Sequence, residues 1–263
     1  EGWNAGVAVS ADKGASLGFT AGGNLGKGHA DGEQTTYRHS HVGSAGSPTV
    51  IVSGGNTNIK GAQVTGKGIT VRAANFNIES LQDTADYRSR QQNISAQVTV
   101  GYGASASGDY SQSKINAEHR SVSEQSGLFA GDDGFDVQVG GHTRLTGGII
   151  TSGQSAEDEG KNRFQTATLT ASDIQNHSRY EGESFGLGAS VAVSGKTLGQ
   201  GAQNKPQDKH LTSVADKNSA SSSVGYGSDS DSDSQSSITK SGINTQNIQI
   251  TDEAAQIRLT GKT

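Results

Sequence analysis

Ser126-Gly-Leu-Phe-Ala-Gly-Asp-Asp-Gly-Phe-Asp-Val-Gln-Val-Gly-Gly-His-Thr-Arg-Leu-Thr-Gly-Gly-Ile-Ile-Thr-Ser152 is the stretch whose reading decides the fold. Phe135, Val137 and Val139 alternate with Asp136 and Gln138, and Thr143, Leu145, Ile149 and Ile150 follow in short runs. Gly131, Gly134, Gly140, Gly141, Gly147 and Gly148 separate the runs. This is the pattern of very short strands joined by tight corners.

The centre of that stretch recurs. Asn56-Thr-Asn-Ile-Lys-Gly61 reads beside His142-Thr-Arg-Leu-Thr-Gly147, and Gln256-Ile-Arg-Leu-Thr-Gly261 reads as a third copy. The spacing between copies is unequal, so a constant unit carries insertions of different length. Between Pro48 and Asp83 the same rhythm appears as Val50 and Val52, Ile59, Val64, Ile69 and Val71, Phe76 and Ile78, then Leu81. Apolar pairs at i and i+2, divided by Gly, Asn, Thr and Lys, predict a parallel β-solenoid rather than a helix. One coil of such a stack cannot bury its inward residues alone; neighbours above and below complete it.

Composition agrees with thin layers of small side chains. The 263 residues include 38 Gly, and hydrophobic residues make up 30%, aromatics 5%, with no Cys or Met. The formal charge of −5, without a Lys/Arg run or interleaved aromatics, argues against a nucleic-acid partner. No apolar run approaches the roughly 20 residues of a membrane-spanning helix. The chain begins at Glu1 without a signal peptide and reads as a section of something longer.

Three alternating stretches interrupt the coil rhythm, and each predicts a β-hairpin arm: 2–28, 84–122 and 177–240. The turn of the first falls at Asp12-Lys-Gly14, the second passes through a flexible stretch from Gly101 to Gly108 before returning at Tyr110, and the third runs through a polar tip from Lys196 to Ser223. The coil blocks 49–83, 123–176 and 241–263 predict about five coils, a stack about 24 Å tall. Ile257 and Leu259 continue the rhythm to the end. The domain expectation is thus a single β-helical repeat domain over 1–263.

Candidate chemistry is sparse. His29, His39 and His41 invite a metal, but no Cys or paired carboxylate accompanies them, and solvated strand histidines are the weightier reading. Glu157-Asp-Glu-Gly-Lys161 lacks a partner carboxylate across a groove and reads as a solvated corner. Asp229-Ser-Asp-Ser-Asp-Ser234 matches no calcium loop and reads as a polar strand face. No Ser-His-Asp arrangement or phosphate-cradling loop stands out, so the expectation is a non-enzyme with no cofactor and no metal. A carbohydrate-active β-helical enzyme rests on fold analogy alone.

The chain resembles the haemagglutinin-repeat regions of two-partner-secreted exoproteins of the filamentous-haemagglutinin family. The resemblance is carried by Leu81-Gln82-Asp83-Thr84 with Tyr87, by Ser123-Glu-Gln125-Ser126-Gly127-Leu128-Phe129-Ala130-Gly131-Asp-Asp-Gly134-Phe135-Asp-Val137, and by Thr168–Asn176. Leu145 and Gly147 belong to the same repeat. It is most similar to the distal repeat region of contact-dependent growth-inhibition effectors. That resemblance implies a right-handed parallel β-helix, export through an outer-membrane partner transporter, and a place on a secreted surface filament. It implies a module that helps carry a C-terminal toxin across a target cell's outer membrane. An adhesin stalk binding host glycans or proteins is the alternative. In the family reading Gln82, Asp83, Tyr87, Gln125 through Gly131, Gly134, Phe135, Leu145 and Gly147 are structural.

Overall fold

The computed structural model describes residues 2–10, 16–100, 103–194, 212–215 and 220–262. Asp12-Lys-Gly14, Gly101-Tyr102 and most of the 196–223 tip, the three expected arm ends, lie outside the described residues.

The chain opens with β1 (Gly2–Ser10), β2 (Ser16–Thr35), β3 (Ser40–Ser44), β4 (Thr49–Val52), β5 (Asn56–Lys60), β6 (Ala62–Ala73) and β7 (Asn75–Glu79). Then come β8 (Asp83–Val100), β9 (Gly103–Ser121), β10 (Gly127–Thr146), β11 (Ile149–Thr151), the short helix α1 (Gln154–Asp158), β12 (Arg163–Ser172) and β13 (Ile174–Ser194). The last elements are β14 (Thr212–Ala215), β15 (Ala220–Thr239), β16 (Gly242–Ile243), β17 (Ile248–Ile250) and α2 (Glu253–Thr260). The chain is all-β. Its residues divide into two compact units, one taking Glu1–Gly32, Asp86–Ala117 and Arg179–Asp233, the other Glu33–Ala85, Glu118–Ser178 and Ser234–Thr263.

In the second unit, parallel strands stack in three columns. The first aligns Val42, Val64, Leu128, Ile150 and Ile243. The second aligns Ile51, Val71, Val137, Phe164 and Ile248. The third aligns Ile59, Ile78, Leu145 and Ala171. Like sits on like because the side-chain period of two sends the same face inward at every level. The quoted stretch is the middle level: β10 contributes to all three columns, its ladder shifting register at 130–134 and again at 139–142, where the glycines lie. Val71, Ile78, Leu128, Val137, Ile150 and Phe164 are fully buried. Each such side chain contributes about 1.5–3 kcal/mol by leaving water.

Two expectations fail here. Val50 and Val52 are exposed, and Ile51 between them faces Val71 in the core. Three consecutive β-branched residues fit either face of a strand, and a slip of one exchanges the faces. The third copy, Gln256–Gly261, is not a coil strand but most of α2, which leaves Ile257 and Leu259 exposed. Asp252 explains the change: its carboxylate accepts from the Ala255 amide at 2.9 Å and caps a helix.

The other sheet has seven strands in the order β1-β2-β8-β9-β13-β15-β14. It includes antiparallel pairs: β1 and β2 run in register from Gly2 opposite Asn24 to Ser10 opposite Ser16, and β14 pairs with β15. The polar segment after Gly28 stays in strand β2 as far as Thr35.

Candidate functional site

Within the second unit, the points where the long strands begin and end are tied together by side-chain amides and hydroxyls. Ser80, just after β7, is buried; its hydroxyl donates to the Gly147 carbonyl at 2.6 Å and accepts from the Ser126 amide at 2.8 Å. The Ser126 hydroxyl in turn accepts from the Ala62 amide at 3.1 Å. Gln125 donates from Nε2 to the carbonyls of Gly147 at 3.0 Å and Lys240 at 2.6 Å. Two hydroxyls and one amide thus satisfy backbone groups that the interrupted ladders leave without strand partners.

A second knot centres on Asn176. Its Oδ1 accepts from Gln82 Nε2 at 3.0 Å and from the Val122 amide at 3.1 Å, and its Nδ2 donates to Thr239 Oγ1 at 2.8 Å. Ser241 adds a hydroxyl donation to the Ser172 carbonyl at 2.6 Å and an amide donation to Asp173 at 2.8 Å. Asp83 accepts from the Tyr37 amide at 2.8 Å. Starts and ends of β8, β9, β13 and β15 therefore share one hydrogen-bonded region.

Of the residues singled out from sequence, Gln125, Ser126 and Gly147 belong to the first knot, where Gly147 accepts from Ser80 and Gln125; Gln82 belongs to the Asn176 knot, and Asp83 bonds the Tyr37 amide. Gly127 and Leu128 pair with Gln63 and Val64 on one side and with Ile149 and Ile150 on the other. Phe129 follows in the same ladder, Ala130 is buried, and Gly131 packs against the backbone of Lys67. Leu145 lies in the core, as does Phe135, whose amide donates to the buried Asn162 at 3.1 Å. Gly134 backs onto the same Asn162. Tyr87 stands apart in the first unit and is exposed. Ser80 and Asn162 were not singled out, and Asn176 was quoted only as the end of the Thr168–Asn176 motif; isolated polar residues give no pattern until their distant partners are known.

Asn162 also donates to Ser152 Oγ and to Glu157 Oε2, both at 2.7 Å. The Gln246 amide donates to the other oxygen of Glu157 at 3.1 Å. These bonds hold the Glu157 carboxyl below the usual carboxylate range, the Asn162 bond most of all. Glu157 is thus a bracket between α1 and the segment before β17.

His39 Nε2 lies 3.0 Å from Ser123 Oγ, and its buried Nδ1 has no hydrogen-bond partner among the described residues. His41 pairs with Glu124 and His29 with Asp31, each at 2.9 Å. Among the described residues no cluster of three or more His, Asp or Glu side chains is placed to hold a metal ion.

Residues 1–96 match the family described as hemagglutinin repeat. The tRNA nuclease CdiA of Yersinia mollaretii is 39% identical over 203 residues, 75% of this chain. The toxin CdiA of Escherichia coli is 40% identical over 192 residues, 70% of the chain. This chain is a haemagglutinin-repeat region of CdiA-like proteins. The haemagglutinin-repeat region covers only 7% and 6% of the length of those two relatives. The deoxyribonuclease CdiA of Dickeya dadantii is 35% identical over 198 residues, 73% of the region and 6% of the relative. No solved structure matches. Proteins of this family are secreted and exposed at the bacterial surface, and the repeat region is part of such an exoprotein. Among its described residues no helix is long and apolar enough to cross a membrane, which leaves strands untested.

Proposed function

We propose that the repeat region is a non-enzymatic filament section that helps a secreted parent protein carry a C-terminal toxin across a target cell's outer membrane. One observation carries this reading. Relatives named as a tRNA nuclease, a deoxyribonuclease and a 16S rRNA endonuclease all align with this region. A segment shared by proteins whose named nucleic-acid targets differ is a poor place for target choice or cleavage, and a good place for a function common to all.

In this reading 1–263 is one β-helical domain of the distal repeat kind: a right-handed parallel coil with hairpin arms near 2–28, 84–122 and 177–240. The three stacked columns support the coil. The motif residues Gln82, Asp83, Gln125, Ser126 and Gly147 tie strand ends within the coil unit, and Tyr87 belongs to the arms. The parent is exported by an outer-membrane partner transporter. The arms meet the target membrane, and they carry exposed apolar side chains at alternating positions: Ile94, Val98 and Val100 on β8, and Phe185, Leu187 and Val191 on β13. Strands with one apolar face enter lipid once their backbone groups are paired.

The test is flotation of the 263-residue chain with liposomes of outer-membrane lipids, followed by protease digestion. Co-flotation with protection of 84–122 and 177–240, lost when 178–237 is deleted, is the expected result. Failure of the intact chain to float or to gain protection would end the membrane role.

A further inference from the structure

The outward face of the third column, in the second unit, holds a trough of about 330 Å³ over β5, β7 and β10. Register fixes its contents in rows. Asn56 and Asn75 form one row, with His142 beside them; Asn58, Asn77 and Arg144 form the next; Lys60, Glu79 and Thr146 form the third.

The first row is spent on itself. Asn75 donates to Asn56 Oδ1 and accepts from the His142 amide, both at 2.9 Å. The His142 ring nitrogens engage the hydroxyls of Thr168 at 2.8 Å and Thr170 at 2.9 Å. In the third row Lys60 Nζ lies 3.4 Å from Glu79 Oε1. The middle row differs: among the described residues, the side chains of Asn58, Asn77 and Arg144 have no hydrogen-bond or ion-pair partner. Two amides and a guanidinium stand side by side, about 4.8 Å apart from strand to strand. The Arg144 charge also reaches His142, where it adds to burial in holding the imidazole pKa down.

We propose that Asn58, Asn77 and Arg144 form a binding site for an acidic oligosaccharide of the uronate class, with its carboxylate on Arg144 and its ring hydroxyls on the two amides. A guanidinium offers a planar fork that matches a carboxylate through two bonds. Each asparagine both donates and accepts, as adjacent sugar hydroxyls require. Glu79 on the neighbouring row disfavours a densely sulfated chain and tolerates a sparsely charged one. An acidic peptide fits less well, because its side chains lack the adjacent hydroxyls that the two amides would meet. The site does not depend on the delivery role; a filament that only adheres would use it equally.

The test is calorimetric titration of the 263-residue chain with an oligogalacturonide, its methyl ester, a heparin fragment and a poly-glutamate peptide. The acid binds, and the ester binds roughly tenfold more weakly or worse. Arg144→Gln costs a similar factor, and Asn77→Ala costs several-fold. Arg72→Gln, outside the trough and paired with Asp136, changes nothing in binding. Unfolding midpoints of the Arg144 and Asn77 variants match the parent, so lost binding is not lost folding. Equal binding of acid and ester, equal loss in the Arg72 and Arg144 variants, no binding at millimolar acid, or tighter Arg144-dependent binding of the heparin fragment or peptide overturns the proposal.

Discussion

Gln256 holds both backbone groups of Leu169: its Oε1 accepts from the Leu169 amide at 2.8 Å, and its Nε2 donates to the Leu169 carbonyl at 2.9 Å. One side-chain amide of α2 thus does what the next strand of the third column would do. The first and second columns continue into β16 and β17, whereas the third ends on a helix. Gln256 is buried, so the pairing is shielded from water.

Replacing Gln256 with Leu keeps the volume and removes both bonds. We expect a loss of about 1–2 kcal/mol, the cost of leaving partly buried backbone groups unmet. Urea unfolding reads the total. Hydrogen exchange locates it: the Leu169 amide should exchange faster, while that of Val137 in the middle of the stack should follow only the global change. Unchanged protection at Leu169 would show that the contact does not cap the column.

Two glycines with the same backbone demand and different surroundings separate strain from crowding. Gly147 has φ +57 and Gly160 φ +68. A methyl group at Gly147 would sit 2.6 Å from Ile174 Cδ1, whereas one at Gly160 meets nothing within 4 Å. Gly160→Ala should therefore cost only the left-handed penalty, about 1–2 kcal/mol. Gly147→Ala adds a packing clash of about 1–3 kcal/mol. Thermal unfolding of the two variants in one buffer checks the order, and equal losses would refute it.

Much of the second unit was legible because period and repeat act locally. Asn56–Gly61 and His142–Gly147 read alike in sequence, and in space they lie in one column with β7 between them, Ile59 on Ile78 on Leu145. The third match failed because Ile257 and Leu259, spaced by two, suit a strand as readily as one turn of helix, and Asp252 and Gly261 at its ends decide for the helix. The hydrogen-bonded region around Ser80, Gln125 and Asn176 lay beyond reach for a different reason. Gln125 meets the Lys240 carbonyl across 115 positions of sequence, and no periodicity encodes a contact made only after a long excursion returns.

That region makes Ser80 a sensitive position. Its hydroxyl is the acceptor for the buried Ser126 amide and a donor to Gly147, and Ser80→Ala leaves the amide unmet. A loss of about 1–3 kcal/mol is expected, more than the same change at Ser190, whose partly buried hydroxyl bonds the Ser223 hydroxyl and, among the described residues, no backbone amide. Denaturant midpoints for Ser80→Ala and Ser190→Ala give the comparison; equal effects would mean that the Ser80 bridge adds nothing beyond its methylene.

His142 gives a pH dependence whose sign follows from its setting. Burial, and then the Arg144 charge, lower its pKa from the ordinary histidine value of about 6.5. The folded chain therefore binds this proton less readily than the unfolded chain. The stability tied to neutral His142 is complete above the unfolded pKa, declines as pH falls from there, and is lost once pH has passed through the lower folded pKa. An NMR titration of the His142 ring should show its midpoint below the ordinary histidine value of about 6.5. Arg144→Gln removes the smaller cause, so the midpoint should rise but stay depressed. A midpoint that returns fully to the ordinary value would make charge, and not burial, the controlling influence on this ring.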